Sequence, residues 1–178
     1  MQWRVHSEQS LYADQWLDIR LADVELPSGD RIDHRVIRTG PGAGVVAVNE
    51  QREVLLLWRH RFITDTWAYE IPMGGIDPGE DPASAAAREL EEETGWRPGP
   101  LRPLLYVEPS NGLMDARHHI FITNTAVHIG NPTEAFEADH TAWIPLAKVP
   151  DMIAARQIVG GTTVAALLYA LTETTIRA

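Results

Sequence analysis

Over residues 16–26 apolar and polar positions alternate. Leu17, Ile19 and Leu21 share one face of an extended chain and Asp18 and Arg20 take the other, which predicts a β-strand. The alternation slips at Ala22 and resumes through Asp23, Val24, Glu25 and Leu26, the mark of a bulge. A Pro27-Ser28-Gly29-Asp30 turn leads into a second strand over 31–38, so the two form a hairpin. A lone hairpin is marginally stable, so this one is expected to pack on the main body or on another subunit. Residues 1–12 carry no clear pattern and are expected to be loose. The breaker cluster Thr39-Gly40-Pro41-Gly42 divides an N-terminal β extension, 1–40, from a second domain, 41–178. Short apolar runs at 44–48 and 54–58, joined by Asn49-Glu50-Gln51-Arg52, read as adjacent buried strands. Arg59, His60 and Arg61 follow the second run, and a further strand is expected over 66–71.

At 74–96 the signals become helical. Asp81 is a good N-cap, and Pro82 suits the first helical position. Alanines follow, and Gly95 is placed to end the helix in a left-handed conformation. Beyond a loop at 97–100, strands are expected over 101–107 and 118–125, separated by the turn-rich EPSNGLMDAR. A polar loop over 131–139 carries Glu134, Glu137 and Asp139. A short strand is expected at 141–144 and helices at 150–157 and 162–172, the last with Val164, Leu167, Leu168 and Leu171 on one stripe. The order β-rich, helix, β-rich, helix implies an α/β (α+β) fold with a mixed sheet between helices.

Composition narrows the setting. With 178 residues the chain can bury a core as a single domain. No apolar run approaches 18 residues and MQWRVHSEQS has no secretory segment, so neither a membrane span nor a leader is expected. There are no cysteines, which excludes thiol catalysis and zinc–thiolate sites and fits a cytoplasmic protein. A net charge of −10 without a basic run argues against nucleic acid as a partner, whereas an anionic small substrate is accommodated if metal ions neutralise it locally.

The candidate chemistry sits on the helix. Glu89 lies three residues from Glu92 and four from Glu93, so these side chains share a face. Like charges at that spacing repel, and Arg88, four residues before Glu92, offsets only part of the repulsion. A divalent cation resolves the rest, and an oxygen-only cluster suits Mg2+ or Mn2+.

The whole stretch reads G-x5-E-x7-R-E-U-x-E-E-x-G-U, with U bulky and apolar. Gly74, Glu80, Arg88, Glu89, Leu90, Glu92, Glu93, Gly95 and Trp96 fill its fixed places. It resembles the signature of the Nudix hydrolases, with Trp96 where the family usually has an aliphatic residue. The resemblance implies an α/β/α sandwich and metal-dependent hydrolysis of a nucleoside diphosphate derivative. It makes Glu89 and Glu93 the prime ligands of Mg2+ (Mn2+ as a substitute). Glu92 is next, Glu80 is a supporting ligand, and the Met73 carbonyl is a backbone ligand. Arg88 would orient a carboxylate. The general base would be Glu137, with Glu134 and Asp139 as rivals on the same loop, or else a box glutamate such as Glu92 or Glu93.

Outside the box, Leu55-Leu56-Leu57-Trp58-Arg59-His60-Arg61 and Trp67-Ala68-Tyr69-Glu70-Ile71-Pro72-Met73-Gly74 are similar to the ADP-ribose and nucleoside-diphosphate-sugar pyrophosphatases of that family. By this match Arg61 would meet substrate phosphate and Glu70 would help bind the substrate. The N-terminal β extension would join a homodimer. The later loop departs from that branch. Asn111 stands where a proline associated with ADP-ribose specificity is usual, and Ala116 follows Asp115 where a second acid is usual. Asn111 is therefore a candidate substrate-binding residue. The implied substrate is ADP-ribose or a related nucleoside diphosphate sugar. The alternatives are a dinucleotide, a nucleoside triphosphate, or a non-catalytic module that senses a nucleotide sugar. His118 and His119 alternate faces, so at most one points at a site, and Trp58 and Trp67 are expected in a core or an interface.

Overall fold

A computed structural model describes residues 1–176 and divides the chain into two units. The first unit comprises Met1–Pro41 and Glu108–Arg117, and the second Gly42–Val107 and His118–Ala178.

The first unit is built on three antiparallel strands, β1 (Arg4–Ala13), β2 (Leu17–Glu25) and β3 (Arg31–Thr39), in that spatial order. The expected hairpin is β2 and β3, whereas the expected loose start is a ten-residue strand that pairs with β2. Nearly every residue of β1 is exposed, so burial leaves no periodic trace in its sequence. Its ties to the sheet are polar: His6 to Glu25, Ser10 to Asp18, and Glu8 to Arg20 and Arg38. The expected bulge at Ala22 is absent. β2 pairs β3 without interruption from Leu17 to Glu25, and the register shifts lie in β1, between Val5 and Ser7 and between Ser10 and Tyr12. The apparent slip arises because both faces of β2 carry apolar residues: Ala22 and Val24 are buried, and Leu17, Ile19 and Leu21 are half-buried opposite them. The stretch Glu108–Arg117 joins this unit through backbone bonds between Ile37 and Leu113 and between Asp115 and Ile37. Asp115 also accepts from the Thr39 N–H at 2.9 Å and pairs with Arg38.

In the second unit β4 (Gly42–Ala47), β7 (Met73–Gly75), β9 (Arg102–Val107) and β10 (His118–Thr123) form a sheet in the order β7-β4-β10-β9. The pair β4–β10 is parallel and the others antiparallel. A second sheet runs β12 (His140–Pro145), β5 (Glu53–Arg61), β6 (Thr66–Glu70). Every residue of β4 is buried, as a strand covered on both faces requires. Ala43, Val45, Ala47 and Leu55 pack with Ala85, Ala86 and Leu90 of helix α1 (Pro82–Thr94). On the opposite side Val46, Val48, Val54 and Leu56 pack with Val149 of α2 (Val149–Ala154) and with Ala166, Leu167 and Ala170 of α3 (Gly161–Ile176). The result is the expected mixed sheet layered between helices. Leu168, expected on the α3 stripe, is 39% exposed, and Ala166 and Ala170 take the buried places. The expected loop at 97–100 begins with a short strand missed in the sequence, β8 (Trp96–Pro98), paired with β11 (Ala126–His128). Among the described residues no helix is long and apolar enough to cross a membrane.

Helix α1 begins and ends where the sequence places it. Asp81 accepts hydrogen bonds from the Ala83 and Ser84 N–H groups, and Gly95 adopts φ +72° while donating to the Glu91 carbonyl at 2.8 Å. An added Cβ at Gly95 would lie 2.0 Å from the Gly130 carbonyl oxygen. Gly95→Ala therefore combines left-handed strain with a backbone clash. It is expected to cost about 3 kcal/mol in chemical denaturation, and a loss under about 1 kcal/mol would show that the turn relaxes freely.

Candidate active site

Helix α1 sets its acids by periodicity. Glu89 and Glu93, one turn apart, fall on the buried face beside Ala86 and Leu90, while Glu92 is half-buried at the rim. Buried carboxylates need partners, and each finds different ones.

Arg88 collects one set. Its Nε and Nη2 donate to the two oxygens of Glu80, each at 3.0 Å. Nη1 donates to Glu89 at 2.7 Å and to Glu92 at 3.0 Å, and Nη2 also donates to the Gly75 carbonyl at 2.9 Å. All five guanidinium donors are thus used. The bond from Arg88, with a second from the Asp77 N–H, holds Glu80 below the usual carboxylate range. Burial pushes Glu89 up despite its contact with Arg88.

A second set surrounds Arg59, which is 6% exposed. Its Nη1 donates to Glu93 Oε1 at 2.9 Å and its Nη2 donates to Glu137 Oε2. The other Glu93 oxygen accepts from the Met73 N–H at 2.8 Å. Burial nevertheless dominates and pushes Glu93 up to about 7; Arg59 and the Met73 N–H oppose the shift, and the nearby Glu137 and Glu89 add to it.

The third grouping is the one that fits a cation. One carboxylate oxygen from each of Glu89, Glu92 and Glu134 lies within 4.8 Å of the other two. Glu134 is brought there by backbone bonds, its N–H to the Glu92 carbonyl at 3.0 Å and its carbonyl from the Glu137 N–H at 2.9 Å. Among the described residues the Glu134 carboxylate has neither a hydrogen-bond nor an ion-pair partner. Three converging carboxylates, one of them unpartnered, make an oxygen donor set suited to Mg2+ or Mn2+.

The sequence-predicted residues thus separate. Glu89 and Glu92 converge, with Glu80 and Arg88 behind them. Glu93 stands apart from the oxygen group with both oxygens on protein donors, and Met73 meets it through its N–H. Glu137 is engaged by Arg59, and Asp139 contacts His140 at 2.9 Å. Arg61 and Glu70 form a two-pronged pair at 2.6–3.2 Å, flanked by cavities of about 140 and 330 Å3 that share Arg61, Glu70 and Gly160. Asn111 belongs to the first unit, where it lines a cavity of about 460 Å3 with Trp3, Val36, Arg38 and Met114. His118 bonds Thr162 at 2.8 Å and is held below the usual histidine value by burial, whereas His119 packs edge-on against Tyr106. Trp58 and Trp67 stack on each other at 6.0 Å, beside Tyr69 and His140. Trp96, bulky where the box is usually aliphatic, packs edge-on to Trp143.

Arg59 was the residue least visible in the sequence. Its signal is register: it continues the inward face of Leu55 and Leu57, where an arginine must be paired.

Comparison with known proteins places the chain in a family. Residues 38–159 match the family model described as NUDIX domain, and residues 3–37 match the nucleoside diphosphate sugar hydrolase N-terminal domain. A CMP-5'-(N-acetyl-N-hydroxy-3-aminopropyl)phosphonate hydrolase of Streptomyces rubellomurinus is 40% identical over 169 residues, covering 94% of this chain and 82% of the relative. An ADP-ribose pyrophosphatase of Bacillus subtilis is 25% identical over 168 residues, covering 92% and 89%. A solved structure described as an ADP compounds hydrolase superposes with a TM-score of 0.88 at 18% identity, over 100% of this chain and 97% of that one; at that identity the likeness is one of fold.

Proposed function

The chain belongs to the Nudix hydrolase family, in its ADP-ribose and nucleoside diphosphate sugar branch. We propose that it is a Mg2+-dependent pyrophosphohydrolase of ADP-ribose or a related nucleoside diphosphate sugar, releasing a nucleoside monophosphate and a sugar phosphate. The observation that carries this reading is the convergence of Glu89, Glu92 and Glu134 beside an arginine that fixes two of them.

Glu89, Glu92 and Glu134 would hold the cation. Bound there, Mg2+ would neutralise phosphate charge and lower the pKa of water. Arg88 aims Glu89 and Glu92 and keeps them from swinging apart. The Glu134 carboxylate has two oxygens and, among the described residues, no partner, so it could face the ion with one and take the proton of the attacking water with the other. Glu137, the first choice for that base from the sequence, has its carboxylate engaged by Arg59. The bonds to Glu70 engage Nε and Nη2 of Arg61, leaving its Nη1 donors for a phosphate oxygen. Asn111 would contact the part of the substrate that sets specificity. Trp3, Val5, Leu11, Tyr12 and Trp16 are all more than half exposed and give the N-terminal strands apolar surface for a homodimer.

A second reading is favoured by the 40% identical relative. A nucleoside monophosphate joined to a phosphonate presents the same phosphorus–oxygen–phosphorus bridge, and Asn111 and Ala116 depart from the ADP-ribose pattern in sequence. Product analysis with Mg2+ against ADP-ribose, other nucleoside diphosphate sugars, a cytidylyl phosphonate, dinucleotides and nucleoside triphosphates separates the readings. Nucleoside monophosphate plus sugar phosphate is the expected outcome. Preference for the phosphonate would select the second reading. No turnover of any compound, with nucleotide binding retained, would make the protein a sensor.

A further inference from the structure

We propose that Arg59 is a positioning residue that clamps the 131–139 loop to helix α1, and that this clamp keeps Glu134 within reach of Glu89 and Glu92.

The loop has little else to hold it. It has no regular secondary structure and none of its residues is buried; Phe136, its one large apolar side chain, is 84% exposed. Its described attachments are polar. The Glu134 N–H bonds the Glu92 carbonyl, the Asp139 N–H bonds the Trp58 carbonyl at 2.9 Å, and Glu137 bonds Arg59. The two backbone bonds sit at either side of the turn. The Arg59 bond is the one that ties a loop side chain into the protein interior.

Arg59 is suited to the task because it is itself immobile. It projects from β5 with its side chain 7% exposed, and its other arm is fixed by Glu93, 2% exposed, at 2.9 Å. Glu93 is in turn anchored to the Met73 N–H. The connection therefore runs from β7 through Glu93 and Arg59 to Glu137. From there it passes through the 2.9 Å bond from the Glu137 N–H to the Glu134 carbonyl. A planar guanidinium can hold two carboxylates at a fixed separation, which the ammonium of lysine does not. Residues that orient metal ligands in this indirect way typically carry about 10–100-fold in metal affinity.

The inference rests on the reading of Glu89, Glu92 and Glu134 as cation ligands, and its test keeps the two apart. Two variants are compared with the wild type. Glu137→Gln weakens the loop end of the clamp without touching the interior. Arg59→Gln combined with Glu93→Gln removes the clamp without leaving a buried charge unpaired. Hydrogen exchange of amides 133–138, measured without metal, reads the clamp alone. Mn2+ titration calorimetry reads its consequence. Faster exchange by about tenfold in both variants, with Mn2+ binding about 10–100-fold weaker, is the expected result. Exchange equal to that of the wild type in both variants would overturn the clamp. Faster exchange with unchanged Mn2+ affinity would overturn its link to Glu134. Failure of the wild type itself to bind Mn2+ would overturn the cation reading, and that link with it, while the exchange data still decide whether the clamp exists.

Discussion

Glu93→Gln is expected to lower turnover by roughly 10–100-fold while preserving the fold. It is also expected to change how stability depends on pH. Glu93 is 3% exposed and burial raises its pKa to about 7, against an ordinary value of 4.5. A carboxyl group raised on folding favours the folded state while it is protonated. That contribution is fully present below pH 4.5 and is lost as pH rises through 7. That rise is worth roughly 3 kcal/mol. Glutamine has no proton to lose. In EDTA the wild type should therefore lose stability relative to Glu93→Gln between pH 5 and pH 8. Calorimetric Tm values of both proteins at the two pH values check this, and a difference that does not move with pH would show that Glu93 is ionised throughout. Mg2+ should reverse the trend for the wild type, because the ligand set binds the cation best when its acids are deprotonated.

How much of this was legible depended on whether local chemistry or distant pairing decides each feature. Helix α1 was readable to the residue because Asp81, Pro82 and Gly95 each act on their own backbone. Strands β4 and β5 were readable because burial on both faces leaves continuous apolar runs. Strand β1 was not, since its pairing is made by backbone ladders and exposed polar side chains that leave no periodic trace. Strands β8 and β11 are three residues each, too short to show a period. In the site, the helical acids could be placed by 3.6-residue geometry, but the loop acids could not. Which of Glu134, Glu137 and Asp139 faces the helix is decided by three loop bonds, to Glu92, Arg59 and Trp58. The inward position of Arg59 was present in the register of β5, and it acquires meaning once Glu93 and Glu137 are seen to converge on it from elements 34 and 78 residues away.

Gly74→Ala is the second substitution expected to have a large effect, and it should act without disturbing the fold. An added Cβ at Gly74 would lie 2.2 Å from Cδ and Oε2 of Glu89 and 2.4 Å from its Oε1. No side chain can occupy that space while Glu89 keeps its place. The obstacle is the end of a flexible side chain rather than backbone, and Gly74 is paired with Ala43 in a regular antiparallel register. The carboxylate should therefore swing away at a cost to stability under about 1 kcal/mol, within the range of ordinary substitutions. In swinging away it leaves the oxygen group with Glu92 and Glu134. Mn2+ affinity and turnover should then fall by about 100-fold, with Tm little changed. A double-mutant cycle with Glu89→Ala shows whether the glycine acts through that carboxylate. Once Glu89 is truncated, the three atoms nearest to a Cβ at 74 are gone, so the second substitution should add little to the first. Losses that simply multiply would mean that Gly74 serves some other part of the site, and that its near-contact with Glu89 is incidental.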